Sequence, residues 1–247
     1  MPFVFSLSFH YLCVLIFKAM ANEEKNPVEG VENVLSKTEM FFEKNQKLFL
    51  YLLIAIVVLV GGYFAVRYLY VEPKQKEAAA EIFHAERYFE ADSLQAALNG
   101  NGTHLGLLDI IDQYGMTPTA NVARYYAGMA YLRGGQFEEA ITYLKKFNAK
   151  KDPILYTLSK QAIGDAYLEL GQDADALKYY KQAAAKYRNA QTTPMAMLRA
   201  AFVCEKLGDY KQALTYYESL RTDFPQSQEA AECDKYIARA EARMNAR

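Results

Sequence analysis

The sequence predicts an all-α protein in which one transmembrane helix is followed by a solenoid of paired helices and a C-terminal capping helix. Three observations predict this class: a long uncharged segment near the N-terminus, packing and turn residues that recur every 36 or 37 positions, and a charged amphipathic pattern at the C-terminal end. The chain has 247 residues, which is enough for one ordinary domain and a membrane segment.

The transmembrane helix is assigned to residues 48–70. The segment from Leu48 to Val66 has no charged side chain. At about 1.5 Å per residue its helix is about 28 Å long, close to the thickness of a bilayer core. Lys47 precedes the segment and Arg67 follows it, as is typical of membrane anchors, whereas a buried core helix of this length would keep a polar face. We therefore expect Leu48 to Val66 to contact the lipid bilayer.

Residues 1–19 leave more than one interpretation. They form a signal-like apolar segment, but no basic residue precedes it and Lys18 lies where a cleavage site is normally uncharged. A lipoprotein signal would require small residues before Cys13, and they are missing. The polar residues after Met20 favour the third interpretation, in which 1–19 is a start-site extension and translation begins at Met20.

Residues 20–47 are predicted to form an N-terminal juxtamembrane tail. Asn26, Pro27 and Glu29 have the spacing of a helix start, with a capping residue, a proline in the first turn and a carboxylate at the third position. The pattern predicts a short amphipathic helix over 27–47 that lies on the lipid headgroups. Basic residues flank the transmembrane segment almost equally on both sides, so charge does not set its orientation.

Composition and motifs argue against several function classes. Lys and Arg number 28 against 29 for Asp and Glu, so we expect no nucleic acid partner. The three histidines and three cysteines have neither His-Glu-x-x-His nor Cys-x-x-Cys spacing, and the glycine-rich segment 100–106 lacks the ending of a phosphate loop. We therefore expect no enzyme activity, no cofactor and no metal site. A Cys204–Cys233 disulfide is conceivable in an oxidising compartment.

The strongest signal is a repeated pattern. Five residues recur 36 positions later, and three of these recur again after a further 37. Small residues at these positions suit helices that approach closely and end in a tight turn. The first set is Gly128, Tyr131, Gly135, Ala140 and Leu144, the second is Gly164, Tyr167, Gly171, Ala176 and Tyr180, and the third contains Gly208, Ala213 and Tyr217.

This pattern resembles the tetratricopeptide repeat, a pair of helices joined by a glycine-containing turn. The resemblance implies three repeats over 121–227, with Arg124 and Cys204 as departures from the usual residue types. Residues 71–120 would form a degenerate first helical pair and residues 228–247 the capping helix. The expected inward-facing residues of these two segments are Ala78, Ile82, Ala85, Phe89, Leu107, Leu108, Ile111, Tyr114, Ala230, Tyr236, Ile237 and Ala240.

The order of segments over 40–247 also resembles the ancillary Sec-translocon subunit family. This resemblance implies a single-pass protein of the bacterial inner membrane with periplasmic repeats, and protein partners among the translocon, chaperones or exported clients. The chain is thus predicted to be a membrane-anchored protein-binding scaffold or adaptor that assists protein export or folding. The alternative is an assembly factor for another envelope complex that uses the same repeat groove.

The resemblance also places a binding groove on the first helix of each repeat. Repeats that capture a C-terminal carboxylate use Lys and Asn there, and neither stands at the matching positions. The groove is largely apolar, which suits apolar segments of partners, unless another helix of the same chain covers it. Its positions are Val122, Tyr125, Met129, Leu132, Arg133, Leu158, Gln161, Asp165, Leu168, Glu169, Met195, Leu198, Phe202, Glu205 and Lys206. The predicted binding residues are Tyr125, Met129, Leu132, Arg133, Leu168, Met195, Leu198 and Phe202.

Overall fold

The computed structural model describes residues 28–149 and 152–246, with side chains from Asn45 onward, and every regular element within these ranges is helical. The chain divides into two compact units, residues 1–64 and 65–247. The predictions for residues 1–19, and for the start of the tail, lie outside the described residues.

The first unit is built on α1, Val28–Ala65. The amphipathic helix predicted over 27–47 and the apolar segment after it therefore belong to one helix of 38 residues. The helical stretch Asn45–Glu90 is long and apolar enough to cross a membrane, and its most apolar window buries no residue. Leu53, Val58 and Leu59 are each more than half exposed. The surface of α1 is thus continuously apolar over this part of its length.

The second unit consists of short helices that pack against one another in successive pairs. A π-helical segment, Val66–Val71, is followed by α2 (Glu72–Glu90), α3 (Leu94–Asn99), α4 (Leu107–Gln113), α5 (Pro118–Arg133), α6 (Phe137–Lys146), α7 (Pro153–Glu169), α8 (Asp173–Ala185), α9 (Thr193–Lys206), α10 (Tyr210–Asp223), a 3-10 helix (Gln228–Ala230) and α11 (Cys233–Asn245). The pairs α5–α6, α7–α8 and α9–α10 correspond to the three predicted repeats, and α11 packs against α10. The predicted all-α class with a terminal helix is confirmed.

The turn inside each repeat depends on one glycine. Gly135, Gly171 and Gly208 have φ values of 74°, 72° and 77°, a left-handed conformation that costs glycine little because it has no Cβ atom. In each turn the residue after the glycine donates its backbone N–H to the carbonyl five positions earlier in the chain, and this bond closes the end of the helix. These bonds join Gln136 to Tyr131, Gln172 to Tyr167 and Asp209 to Cys204 at 2.8–2.9 Å.

Close approach of the two helices in a repeat depends on a second glycine. A Cβ atom at Gly164 would lie 2.6 Å from Cε1 of Tyr180, and one at Gly128 would lie 2.5 Å from Cγ of Leu144. Both distances are far below van der Waals contact, so a larger residue would force the helices apart. The recurring glycine therefore sets the packing distance within the first two repeats.

A stacked tyrosine pair joins the two helices of each of these repeats. The rings of Tyr131 and Tyr143 are 5.3 Å apart, and those of Tyr167 and Tyr179, 36 positions later, are 5.5 Å apart. In the third repeat Cys204 takes the place of the first tyrosine. Cys204 and Cys233 are both buried free thiols, so the conceivable disulfide between them is not formed.

In the segment before the repeats, α2 buries the residues predicted to face inward, whereas Leu108 and Ile111 are half-buried and the second half of the segment is divided. Ala78, Ile82, Ala85 and Phe89 of α2 are all buried. In place of one second helix there are the short helices α3 and α4, because the loop 100–106 interrupts the chain. Asn101 Oδ1 accepts hydrogen bonds from two backbone N–H groups of this loop, so the glycine-rich segment is a turn.

Candidate functional site

Three of the predicted groove residues lie together on α5. Tyr125, Met129 and Leu132 are half-buried and contact one apolar cluster, which α6 and α7 supply. The ring of Tyr125 also lies 5.3 Å from that of Phe147. These three side chains therefore hold the junction between the first two repeats and leave part of their surface open.

The other groove residues are spread over later helices. Leu168 contacts the apolar cluster between α8 and α9, and Leu198 contacts the cluster that ends at α11. Met195 is half-buried. Arg133 is exposed, and its guanidinium lies 4.1 Å from the centroid of the Phe89 ring. The predicted binding residues thus border successive apolar clusters. That they form one groove stays a prediction.

Phe202 lies at the C-terminal end of the predicted groove. Its side chain is 38% exposed, and its ring meets that of Tyr236 nearly at a right angle, with 5.1 Å between centroids. The guanidinium of Arg239 is 5.8 Å from the same ring. Both neighbours belong to α11, so the capping helix contacts Phe202 and partly covers this end of the groove.

Asp165, a polar residue among the groove positions, has partners within the protein itself. Asp165 of α7 forms an ion pair with Arg199 of α9 and accepts a 2.6 Å hydrogen bond from the Tyr180 hydroxyl. The carboxylate thus connects both helices of its own repeat to the first helix of the next.

A carboxylate, a tyrosine and an arginine meet in the same way one repeat later. Glu205 of α9 accepts a 2.6 Å hydrogen bond from the Tyr217 hydroxyl and pairs with Arg239 and Arg243 of α11. The acid and the first arginine are again 34 residues apart, as Asp165 and Arg199 are. The acids Asp165 and Glu205 were assigned to the groove, but their arginine partners were missed, and this spacing is the sequence signal that would have found them.

Several polar side chains of the groove are paired within the protein, so apolar side chains form most of its open surface. Gln161, another groove position, is buried and donates a 3.0 Å hydrogen bond to the carbonyl of Thr192. Because Gln161, Asp165 and Glu205 are already satisfied, the open part of this surface consists chiefly of apolar and aromatic side chains. Such a surface binds by burying hydrocarbon.

Titratable groups near the site have pKa values displaced by burial. Burial raises the pKa of the Cys204 thiol to about 11 and that of Tyr216 to about 12. The pKa values of Tyr180 and Tyr217 are raised by burial first and then by the carboxylates they contact. None of these groups is therefore poised to exchange a proton near neutral pH.

Between Asn45 and the C-terminal helix, no group of three or more His, Cys, Asp or Glu side chains is close enough to hold a metal ion. His84 and His104 stack with 3.5 Å between ring centroids, but they are two ligands without a third. The arrangement offers surfaces for binding.

Residues 29–235 match the family described as T7SS, ESX-1 secretion system protein EccA1, N-terminal domain. The chain belongs to this family. No curated protein matches the chain significantly.

Solved structures agree on the fold. A variant of the Podosopora anserina putative kinesin light chain with nearly identical TPR-like repeats is similar with a TM-score of 0.53 and 18% identity, covering 69% of this chain and 88% of that one. Another structure of those repeats has a TM-score of 0.51 and 16% identity over the same shares. At such identity the likeness shows the fold alone, a TPR-like solenoid.

Proposed function

We propose that this chain is a membrane-anchored scaffold whose repeats bind apolar segments of other proteins during export or folding at the bacterial inner membrane. The observation that carries the proposal is the set of half-buried apolar side chains along the first helices of the repeats, such as Tyr125, Met129 and Leu198. They are ordered by the repeat core and yet retain open surface. Pre-ordered apolar side chains lower the entropic cost of binding.

The membrane anchor of this proposal is α1. Among the described residues, the most apolar window of this helical stretch buries none of its residues, and a water-exposed apolar surface of this length would be costly. Insertion into a bilayer removes that cost. The periplasmic location of the repeats rests on the resemblance to the ancillary Sec-translocon subunits.

Two independent likenesses support a role in export. The family description names a protein of a secretion system, and the order of segments resembles a translocon-associated family. The two concern different secretion systems, so the partner within this proposal is defined only as a protein of an export process. We propose no catalytic role. An assembly factor for another envelope complex would use the same groove, and crosslinking followed by mass spectrometry of the captured partners separates these roles.

The groove is tested by titrating the full chain in phosphatidylcholine nanodiscs with a fluorescein-labelled peptide of alternating Leu and Ser. We expect an affinity on the order of micromolar, because ordering the peptide offsets much of the gain from burial. Phe202→Glu places a charge in the groove, and we expect it to weaken binding by about tenfold.

The matched control is Phe83→Glu, which changes an exposed aromatic residue on α2, outside the groove. It should bind the peptide like the unchanged protein, and empty nanodiscs report binding to lipid. Equal binding by Phe202→Glu with an unchanged circular dichroism spectrum would contradict the groove. Loss of the helical spectrum would show that Phe202 is needed for the contact with α11, and Met129→Glu would then be measured in its place.

A further inference from the structure

Four lysines converge at the junction of the first and second repeats, on residues outside the groove. Lys145 and Lys146 end α6, Lys160 lies on α7 and Lys186 follows the end of α8. Together they line a cavity of about 340 Å³, whose wall also includes Tyr156 and Ser159. We refer to Lys145, Lys146, Lys160 and Lys186 as the lysine cluster.

Tyrosine rings contact all four of these ammonium groups, and Lys146 Nζ lies 5.9 Å from the centroid of the Tyr143 ring. Lys145 Nζ donates a 2.6 Å hydrogen bond to the Tyr167 hydroxyl and lies 5.7 Å from the centroid of the Tyr179 ring. Lys160 Nζ lies 5.6 Å from the same ring. A ring face attracts a cation without neutralising it, so these contacts order the side chains and keep their charge.

The ring of Tyr156, in the cavity wall, contacts two lysines of the cluster. The Nζ atoms of Lys186 and Lys160 lie 4.5 Å and 5.5 Å from its centroid, and Tyr187 packs edge-on against it. Lys160 is thereby fixed between two tyrosines from different helices. The cavity wall is consequently built by side chains of α6 and α7 and by Lys186 after the end of α8, so it depends on the packing of two repeats.

The lysine cluster has no acidic partner in the described part of the chain. Ion pairs formed elsewhere engage Lys206 with Asp173, Arg188 with Asp223 and Arg221 with Asp234, but they include none of the four lysines. Asp152, the one acidic residue between Lys146 and Lys160 in the sequence, accepts a hydrogen bond from the Leu155 backbone as the cap of α7.

Like charges crowd around Lys160. Burial lowers the pKa of its ammonium group, and the neighbouring Lys186 and Lys145 lower it further. Concentrating positive charge without a counter-charge destabilises a fold. A ligand with negative charge would relieve that repulsion at the same place.

We propose that the lysine cluster binds an acidic segment of a partner protein, one with two or more neighbouring carboxylates. The charges are complementary, and the Ser159 hydroxyl adds a donor beside the ammonium groups. A concave site of this volume admits protruding carboxylate side chains, whereas a bilayer presents a broad surface. This surface is separate from the groove residues and goes beyond the function proposed above, since it recognises charge and not hydrocarbon.

The test titrates the full chain in phosphatidylcholine nanodiscs with fluorescein-labelled hexaglutamate at about 50 mM salt, where surface charges are weakly screened. We expect saturable binding that weakens as salt is added. The variant Lys160→Gln with Lys186→Gln should bind at least about fivefold more weakly. The control, Lys178→Gln with Lys181→Gln, removes the same charge from exposed positions of α8 and should bind like the unchanged protein.

Each outcome decides the proposal. Absence of hexaglutamate binding, or equal weakening by the two double variants, overturns it. So does recruitment to phosphatidylglycerol vesicles through Lys160 and Lys186 without hexaglutamate binding, because the ligand would then be a membrane. The Leu and Ser peptide is measured on the same variants. Its binding should not change, so failure of the lysine cluster and failure of the groove are distinguishable.

Discussion

The hydroxyl of Tyr180 donates a 2.6 Å hydrogen bond to Asp165, whose carboxylate also pairs with Arg199 of the next repeat. Two consecutive repeats are therefore joined by a charged contact as well as by apolar packing. The equivalent contact of Glu205 joins the last repeat to the capping helix through Arg239. Solenoid stability depends on such interfaces between neighbours, because each repeat contacts little else.

The two acids should differ in their contribution to stability. The side chain of Glu205 is 5% exposed and that of Asp165 is 30% exposed, so water screens the second pair more. We expect Glu205→Gln to lower the free energy of unfolding by about 1.5–3 kcal/mol and Asp165→Asn by about 0.5–1 kcal/mol. Urea titration of the full chain in mild detergent, followed by circular dichroism, measures both. Glu218→Gln, at an exposed position of α10, is the control, and equal losses for the two acids would contradict the argument.

The close contact at Gly164 should tolerate no side chain. Because the Tyr180 hydroxyl is anchored to Asp165, the ring cannot move away from a new Cβ atom 2.6 Å from it. We expect Gly164→Ala to destabilise the protein by about 1–3 kcal/mol. In a Tyr180→Ala background the same change should cost almost nothing, since the clashing ring is gone. Additive losses in the same urea titration would show that the ring is not the obstacle.

Alkaline pH should destabilise the repeat domain. The folded pKa values of Cys204, Tyr216 and Tyr217 are all raised above their unfolded values, so the unfolded chain loses protons first. The contribution of these groups to the free energy of unfolding is therefore fully present below their unfolded pKa values, about 8.5 for Cys and 10 for Tyr. It is lost as pH rises above them. We expect unfolding midpoints in urea to fall from about pH 9 upward, more steeply above about pH 10. A flat profile to pH 10.5 would contradict this, and Tyr217→Phe should make the fall shallower.

Membrane orientation can be read from thiol labelling of intact bacterial cells. In a Cys13→Ser background the remaining native thiols are buried, so a cysteine introduced at the exposed position Lys178 should react with a membrane-impermeant maleimide before lysis if the repeats are periplasmic. A cysteine introduced at Asn22, in the juxtamembrane tail, should react only after lysis. The reverse pattern would place the repeats in the cytoplasm and exclude the proposed location.

Sequence periodicity was sufficient for the helices of the three repeats and for their pairing. Gly135, Gly171 and Gly208 predicted the turns because a left-handed residue after a helix is a local requirement that glycine meets best. The inward faces of α2 and α11 followed from apolar residues three and four positions apart. The capping pattern at Asn26 and Pro27 predicted where this helix starts, but its unbroken course from the juxtamembrane tail into the apolar segment was not predicted, because the two stretches differ in polarity.

The amino-acid sequence by itself determined the all-α class, the three repeats and the apolar helix, since each depends on spacing within a few turns of one helix. Only the tertiary structure decided which distant side chains meet. Phe202 is partly covered by α11, and Lys145, Lys160 and Lys186 share one cavity, although nothing in their local sequence distinguishes them from other exposed residues. Contacts of this kind depend on how neighbouring helices are placed against one another, and that placement is set by the packing of the whole repeat interface.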